Sequence, residues 1–183
     1  HRVALVEAGP DYPTTASLPP DLANGKRNAM TRHDWGLWHV PTRQQRFKFP
    51  FPRGRVVGGS SAVNTCIALR GQPGDYDEWA SLGLKAWGYE QCLPYFKRLE
   101  HDLDVDNTWH GQTGPLPIRR HTNDELMPWQ AAFLEACERL GYPSGYDSND
   151  PTTTGYGSHA MNKLDNRRIS AAEAWLTPEV RAR

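Results

Sequence analysis

The chain has 183 residues, enough for one ordinary domain. Its 21 basic residues equal its 21 acidic residues, so the sequence carries no electrostatic footprint for a nucleic-acid partner. No apolar run approaches the length of a membrane span, and the first residues do not form a basic-then-apolar secretion signal.

A short apolar run at residues 3–6 opens the chain and is followed by Glu7, Ala8 and Gly9. A continuous apolar run of this kind predicts a buried parallel strand with an acidic residue at its carboxyl end. In dinucleotide-binding units an acid at this place accepts hydrogen bonds from a ribose. The pattern alone also fits an ordinary strand end. Residues 11–52 are rich in Pro, Asn, Arg and Gly, which predicts mostly irregular structure.

The most informative segment follows and reads Gly54-Arg55-Val56-Val57-Gly58-Gly59-Ser60-Ser61-Ala62-Val63-Asn64. Paired glycines let a backbone reach positive φ and approach a ligand closely. Hydroxyl and amide groups come next, so the segment suits a phosphate or the polar edge of a flat heterocycle. Taken alone, the segment could equally be a structural turn.

Helices are predicted at residues 75–81, 89–100 and 125–140. We place Pro94 in the first turn of the second helix, where proline is tolerated, and Gly141 at the stop position of the third. The apolar face of the third helix is interpreted as a core face and comprises Leu126, Trp129, Phe133, Ala136 and Leu140. Ser170 begins a capping-box pattern that predicts a last helix before Pro178.

Cysteines and histidines give no metal pattern. Cys66, Cys92 and Cys137 fit neither a disulfide framework nor a zinc site, so we interpret them as free thiols in a reducing, cytoplasmic compartment. The seven histidines lack the spacing of metal ligands, and four of them are predicted to be polar surface or loop residues: His33, His39, His101 and His110. We therefore predict no metal site.

Residues 54–77 resemble the first sequence signature of the glucose–methanol–choline (GMC) oxidoreductases, which are FAD enzymes acting mainly on alcohols, and the run from residue 53 to 79 especially resembles choline-dehydrogenase-like members. Further blocks resemble the family in the same order: residues 2–9 its second Rossmann strand, residues 109–116 its His-Gly-x-x-Gly-Pro-Leu element, and residues 168–172 its Arg-x-Ser segment. Asn166 stands where relatives often have glycine, and Asn tolerates a left-handed backbone.

The resemblance implies an α/β fold: a partial Rossmann-like FAD-binding domain with part of the substrate-binding region. It assigns residues 1–74 to the FAD-binding domain and residues 75–183 to helical and loop segments that join it to the substrate domain. The residues it implies at FAD are Glu7 (at the adenosine ribose), Arg55, Gly58, Gly59, Ser60, Ser61 and Asn64. Thr65 matches a position that faces substrate in some relatives, although a surface or packing role is equally open. Some relatives attach FAD covalently through a His directly before the Asn; Val63 stands there, so we predict non-covalent FAD.

The family's Gly-x-Gly-x-x-Gly turn should precede residue 1, and its second signature and catalytic His should follow residue 183. None of the seven histidines lies in a matching motif, so no catalytic residue is assigned. We expect this chain to be an internal piece of a longer enzyme, inactive alone, whose partners are a small alcohol and the remaining polypeptide.

Three functions remain open from the sequence: an FAD alcohol dehydrogenase or oxidase, a hydroxynitrile-lyase-like enzyme that keeps FAD without net redox, and a non-catalytic flavin-binding fragment. Bleaching of the flavin by an alcohol would distinguish the first from the second.

Overall fold

The computed structural model describes residues 3–182. Six short or medium α-helices lie in this part of the chain: α1 (Pro20–Ala23), α2 (Pro73–Ser81), α3 (Tyr89–Leu99), α4 (Pro128–Arg139), α5 (Ala171–Trp175) and α6 (Pro178–Arg181). One 3₁₀ turn precedes these helices, at Thr15–Ser17, and three lie between them, at Gly59–Ala62, Lys85–Trp87 and Asn123–Glu125. No helix among these residues is long and apolar enough to cross a membrane.

The strands form three two-stranded sheets. Antiparallel pairs join β1 (Trp38–His39) to β2 (Phe49–Pro50) and β5 (Lys163–Leu164) to β6 (Arg167–Arg168), and a parallel pair joins β3 (Glu100–Asp102) to β4 (Leu116–Ile118). The mixture of helices and strands is consistent with the predicted α/β class. Apart from these short elements, residues 11–52 are irregular, as predicted.

Two compact units make up the chain. Ile67–Asn162 form one unit, and residues 3–66 together with 163–182 form the other. The unit formed by residues 3–66 and 163–182 has a small apolar core of Leu22, Ala29, Val56, Ala62 and Val63. The sequence divided the chain by expected function, at residues 1–74 and 75–183. That division does not describe compact units, and it stays a prediction.

The β5–β6 hairpin is turned by Asp165 and Asn166, whose φ angles are 47° and 60°. A two-residue hairpin turn of this kind needs positive φ at both central positions, and Asp and Asn tolerate it better than most residues. Asn166 therefore has a left-handed backbone, which Asn tolerates at this position where relatives often have glycine.

Residues 3–6 form no strand within the described chain, and the strand predicted there, whose partners are expected outside residues 1–183, stays a prediction. These residues are irregular, and Val3 and Val6 are 88% and 92% exposed. A strand exists only through hydrogen bonds to a neighbour, and no segment within residues 3–182 pairs with this run. Arg2, which began the segment compared with the Rossmann strand, lies outside the described residues.

The helices are largely where the sequence placed them, with two corrections in local detail. Pro94 is the sixth residue of α3, inside the helix and not in its first turn. The third predicted helix starts at Pro128 and not at residue 125, because Thr122 and Glu125 cap each other across a separate 3₁₀ turn. Gly141 follows α4 with φ 76°, and Ser170 caps α5, both as predicted.

The apolar face of α4, interpreted from the sequence as a core face, is exposed within the described residues. Trp129 is 87% exposed, Phe133 64% and Leu140 75%. Cys137 is the buried residue of the helix. The spacing of apolar residues predicts which face of a helix avoids water, but it does not say which polypeptide covers that face.

Candidate functional site

The paired glycines form a left-handed turn that leads into the 3₁₀ turn Gly59–Ala62. Gly58 has φ 98° and Gly59 has φ 56°, a region that L side chains rarely adopt. A Cβ at Gly58 would lie 3.1 Å from the Cβ of Ala172, whereas a Cβ at Gly59 would meet no atom within 4 Å. The backbone at Gly59 therefore faces open space that a ligand can enter.

The two serine hydroxyls both bond to the main chain. Ser60 Oγ accepts from the N–H of Gly54 at 3.1 Å. Ser61 Oγ donates to the carbonyl of Gly58 at 2.6 Å and accepts from the N–H of Ala171 at 2.9 Å. Ser60 is exposed and Ser61 is half-buried. The sequence suggested both hydroxyls as ligand donors, and the structure adds that each also holds the turn in shape.

Asn64 ends the motif in a tight local turn. Its Oδ1 accepts from the N–H of Cys66 at 2.9 Å, and Cys66 has φ 65°. Thr65, between them, is exposed. Burial raises the pKa of the Cys66 thiol, although the nearby Arg168 opposes this. The thiol therefore stays protonated at neutral pH and is not a nucleophile.

The Glu7 segment lies against the chain just before the glycines. Glu7 Oε1 accepts from the N–H of Gly9 at 2.8 Å, and Val57 N–H donates to the carbonyl of Pro10 at 3.0 Å. Gly9 approaches Arg55 so closely that a Cβ on Gly9 would lie 2.1 Å from the Arg55 carbonyl oxygen. The structure thus brings the segments of Glu7 and Arg55 together, with the side chain of Arg55 exposed.

Arg168 is fully buried, at 0% exposure, and holds the segment after the glycines. Its Nε donates to the carbonyl of Asn64 at 3.0 Å and one terminal nitrogen donates to that of Ala62 at 3.0 Å. The guanidinium also reaches the carbonyls of Leu22 at 2.5 Å and Arg27 at 2.6 Å. The sequence places Arg168 in a family segment but does not indicate this role, since an Arg among polar residues gives no sign of burial.

His110 is the second residue whose burial the sequence did not indicate. It is 2% exposed, and its Nδ1 lies 3.0 Å from Glu100 Oε1 and 2.9 Å from Asp102 Oδ2, while its Nε2 lies 2.8 Å from Asp147 Oδ2. Burial alone would lower the pKa of His110, but the hydrogen bonds to Asp102, Asp147 and Glu100 raise it from 6.5 to about 10. The ring is an imidazolium at neutral pH.

Geometry alone would allow Glu100, Asp102 and His110 to hold a metal ion. The charges do not favour one, because Arg70 pairs with Glu100 at 2.6 Å and Arg120 pairs with Asp102 at 2.9 Å. Three cations thus balance the three carboxylates of the cluster, and a metal ion would have to displace the proton of His110. We interpret the cluster as a structural ion-pair network.

His33 is also buried, at 4% exposure, and its Nε2 shares a 2.9 Å hydrogen bond with the hydroxyl of Tyr12. His39 and His101 are exposed, as expected from the sequence. His33 and His110 lie in loops, as predicted, but both are buried and not at the surface, and each bonds a partner that is distant in sequence.

Comparison with known proteins extends these observations. The sequence model of the GMC oxidoreductase family matches residues 14–183. The chain is 36% identical over 183 residues to "Oxygen-dependent choline dehydrogenase" of Rhizobium rhizogenes, covering 99% of this chain and 33% of that one. It is 34% identical over 197 residues to "5-(hydroxymethyl)furfural oxidase" of Methylovorus sp., covering 100% of this chain and 36% of that one.

Among solved structures, pyridoxine 4-oxidase from Mesorbium loti superposes with a TM-score of 0.83 at 32% identity, over 97% of this chain and 35% of that one. The FAD-dependent oxidoreductase from Chaetomium thermophilum has a TM-score of 0.69 at 23% identity, over 92% of this chain and 30% of that one, and shows the fold alone. The chain thus spans about a third of the length of the relatives it matches. With the glycine turn in place and a family match over nearly its whole length, the chain belongs to the GMC oxidoreductase family.

Proposed function

We propose that the intact protein is an FAD-dependent oxidoreductase that oxidises a small alcohol to an aldehyde or ketone. FAD is the cofactor expected of a GMC oxidoreductase, and when bound it accepts hydride at the flavin N5. The single observation that carries the proposal is the turn at Gly58 and Gly59, where a left-handed backbone leaves open space at the Gly59 Cβ position. A flat ring or a phosphate fits against backbone exposed in this way.

The chain's own residues would bind and orient the cofactor. We assign Gly58, Gly59, Ser60, Ser61 and Asn64 to the flavin-facing turn. Backbone N–H groups and the Asn64 amide would hold the polar edge of the ring, where preorganised donors stabilise negative charge as it develops.

Two further segments complete the proposed cofactor site. Glu7 would accept hydrogen bonds from the adenosine ribose, since its segment packs against the residues before the glycines. We assign Arg55 to the same cofactor, and its exposed side chain is free of the core. Thr65 is exposed directly after Asn64, which supports the proposed position facing substrate.

A small alcohol is the proposed substrate class. The relatives reported above are, by their names, a choline dehydrogenase and oxidases of hydroxymethylfurfural and pyridoxine. All three names denote oxidoreductases, so we propose oxidation and not the lyase reaction that the sequence left open. Dehydrogenase and oxidase differ in the electron acceptor, to which no residue of this chain is assigned.

We place the catalytic base in polypeptide beyond this chain. His110 and His33 are buried and hydrogen-bonded within their own units, so neither is free to take a proton from an alcohol. The curated relatives are about three times as long, which leaves ample chain for the base. Residues 1–183 alone are therefore expected to be inactive. The three free thiols favour a reducing compartment, and a cytoplasmic location stays a prediction.

We also propose that α4 is an interface with this remaining polypeptide. Trp129 and Phe133 stand exposed beside an apolar cavity of about 450 Å³ that Ile67, Leu126 and Met161 also line. Soluble proteins rarely leave aromatic patches of this kind uncovered. Because about two thirds of the length of each relative has no counterpart here, further chain of the same enzyme is the occupant we propose.

The proposal is tested on the full-length enzyme, purified and mixed anaerobically with choline, hydroxymethylfurfural, pyridoxine and simple primary alcohols. We expect a yellow protein whose flavin absorbance bleaches with at least one of these alcohols. Protein that purifies without flavin and cannot be reconstituted with FAD would contradict the cofactor assignment. Bound flavin that no alcohol bleaches would contradict the alcohol oxidation.

A further inference from the structure

A second segment, residues 168–172, contacts and supports the turn at residues 58–64 that faces the proposed flavin. The two segments are more than 100 residues apart in the chain, and their contacts are specific. Arg168 donates to the carbonyls of Ala62 and Asn64, which close the C-terminal end of the turn. These two bonds fix where Asn64 sits relative to the glycines.

Ser61 makes the second connection. Its hydroxyl donates to the carbonyl of Gly58 and accepts from the N–H of Ala171, the first residue of α5. One hydroxyl therefore bridges the beginning of the turn to the start of a helix. The N–H groups in the first turn of a helix have no partner within the helix, so Ala171 would need a replacement if Ser61 lost its oxygen.

Packing supplies the third connection. The Cβ of Ala172 lies 3.1 Å from where a Cβ on Gly58 would stand, so Gly58 is pressed against α5. Gly59, the next residue, has no atom within 4 Å of its Cβ position. One glycine thus faces the supporting helix and the other faces open space.

We propose that Ser61 and Arg168 are positioning residues, which set the backbone of residues 58–64 for FAD without requiring that either side chain touch it. This inference rests on the proposed function. In it, the Ser61 hydroxyl gives its single proton to the carbonyl of Gly58 and accepts from the N–H of Ala171, and it acts on the flavin through the backbone it holds. Arg168 works in the same way through the carbonyls of Ala62 and Asn64.

The chain offers a matched control. Ser170 Oγ accepts from the N–H of Glu173 and caps the same helix, α5, whose first N–H is held by Ser61. Ser170→Ala and Ser61→Ala each delete one hydroxyl at the same helix end. Only Ser61→Ala also frees the carbonyl of Gly58. A purely structural role predicts the same effect on the flavin from both variants, whereas a positioning role separates them.

The experiment uses the full-length enzyme, stripped of flavin and titrated with FAD, with visible circular dichroism of the bound flavin as a second readout. We expect Ser61→Ala to raise the dissociation constant of FAD about tenfold or more, the effect of losing one well-placed hydrogen bond. We expect it also to change the flavin dichroism at saturation. Ser170→Ala should leave the constant within about twofold and the dichroism unchanged, and Ser61→Thr, which keeps Oγ, should lie close to wild type.

Equal effects of the two alanine variants, or no effect of Ser61→Ala, would overturn the inference. Failure of Ser61→Ala to fold while Ser170→Ala folds would overturn it as well, because it would show a structural role. A dissociation constant of FAD in Ser61→Thr that differs from wild type would contradict the role proposed for the hydroxyl. A wild-type enzyme that binds no FAD would instead contradict the proposed function, so the two failures are distinguishable.

Discussion

His110 and Asp147 lie 37 residues apart in the chain and share a 2.8 Å hydrogen bond between Nε2 and Oδ2, with the ring 2% exposed. The opposite ring nitrogen contacts Glu100 and Asp102. One buried ring therefore ties together the loop around residue 110, strand β3 and the loop around residue 147. An imidazolium can donate from both nitrogens at once, which a neutral ring cannot do.

The first prediction concerns stability at alkaline pH. Because the pKa of His110 is raised from 6.5 to about 10, its contribution to the free energy of unfolding is fully present below pH 6.5 and is lost as the pH rises through about 10. We expect thermal melting of the intact enzyme to show this loss, and His110→Gln to remove that part of the pH dependence. Removing one partner of a buried ion pair costs about 3–5 kcal/mol.

His39→Gln is the control for this prediction, since His39 is exposed and outside the cluster. It should melt like wild type at every pH. If His110→Gln had wild-type stability and the same loss of thermal stability at alkaline pH, the ring would not be held as an imidazolium.

Local patterns in the sequence predicted local structure well. Helices α2 and α3, the stop at Gly141 and the cap at Ser170 all follow from residues within a few positions of one another. The strand at residues 3–6 could not be predicted in the same way. A strand depends on a hydrogen-bonded neighbour, which this part of the chain does not provide.

In the candidate site, too, the residues that could be recognised from the sequence are those whose motif is contiguous. The glycines, serines and Asn64 were recognisable because they are contiguous, and their assignment to FAD stays a prediction. The burial of Arg168 and His110 was not recognisable, because their partners are 104 residues away at Asn64 and 37 residues away at Asp147. No spacing rule connects residues so far apart, and a charged side chain is usually exposed unless such partners exist.

The attachment of the flavin gives the second prediction. Val63 occupies the position before Asn64, is buried at 6% exposure, and has no group able to bond FAD covalently. We therefore expect FAD to be released when the intact enzyme is precipitated with acid, with the yellow colour in the supernatant. Colour that stays with the precipitated protein would contradict this, since it would require a covalent link at another residue.

Gly59 gives the third prediction. Valine at this position must adopt φ near 56° and places its side chain in the space proposed for the flavin. We expect Gly59→Val in the intact enzyme to lose most of its FAD while the flavin-free protein remains folded, as measured by flavin content and circular dichroism. The backbone strain itself should cost about 1–3 kcal/mol.

Gly145→Val is a control that separates backbone strain from obstruction of the proposed flavin site. Gly145 also has a positive φ, 78°, and no atom within 4 Å of its Cβ position, but it lies outside the motif. It should lose comparable stability and keep its flavin. Full flavin occupancy in Gly59→Val would make the glycine pair a structural turn only.

The fourth prediction tests α4 as an interface with the remaining polypeptide of the enzyme. If that polypeptide covers Trp129, then Trp129→Ala removes a large buried side chain and should lower the free energy of unfolding by about 3–5 kcal/mol. If Trp129 is exposed in the intact enzyme as it is in residues 3–182, the change should stay within about 0.5 kcal/mol. Denaturant unfolding of the full-length protein measures the difference.

Glu135→Ala on the charged side of α4 is the control for this fourth prediction. Glu135 pairs with Arg139 at 2.6 Å with both side chains exposed, and an exposed pair of this spacing contributes only about 0.3–0.5 kcal/mol. Light scattering measures the oligomeric state and so distinguishes the possible occupants. If a second copy of the protein covered this face, Trp129→Ala would convert the dimer to monomers. A large loss of stability with the oligomeric state unchanged supports further chain of the same enzyme. A small loss of stability would contradict the proposal, because polypeptide of the same chain that covers α4 would bury Trp129. Conversion of a dimer to monomers would contradict it as well, because contact within one chain does not depend on protein concentration.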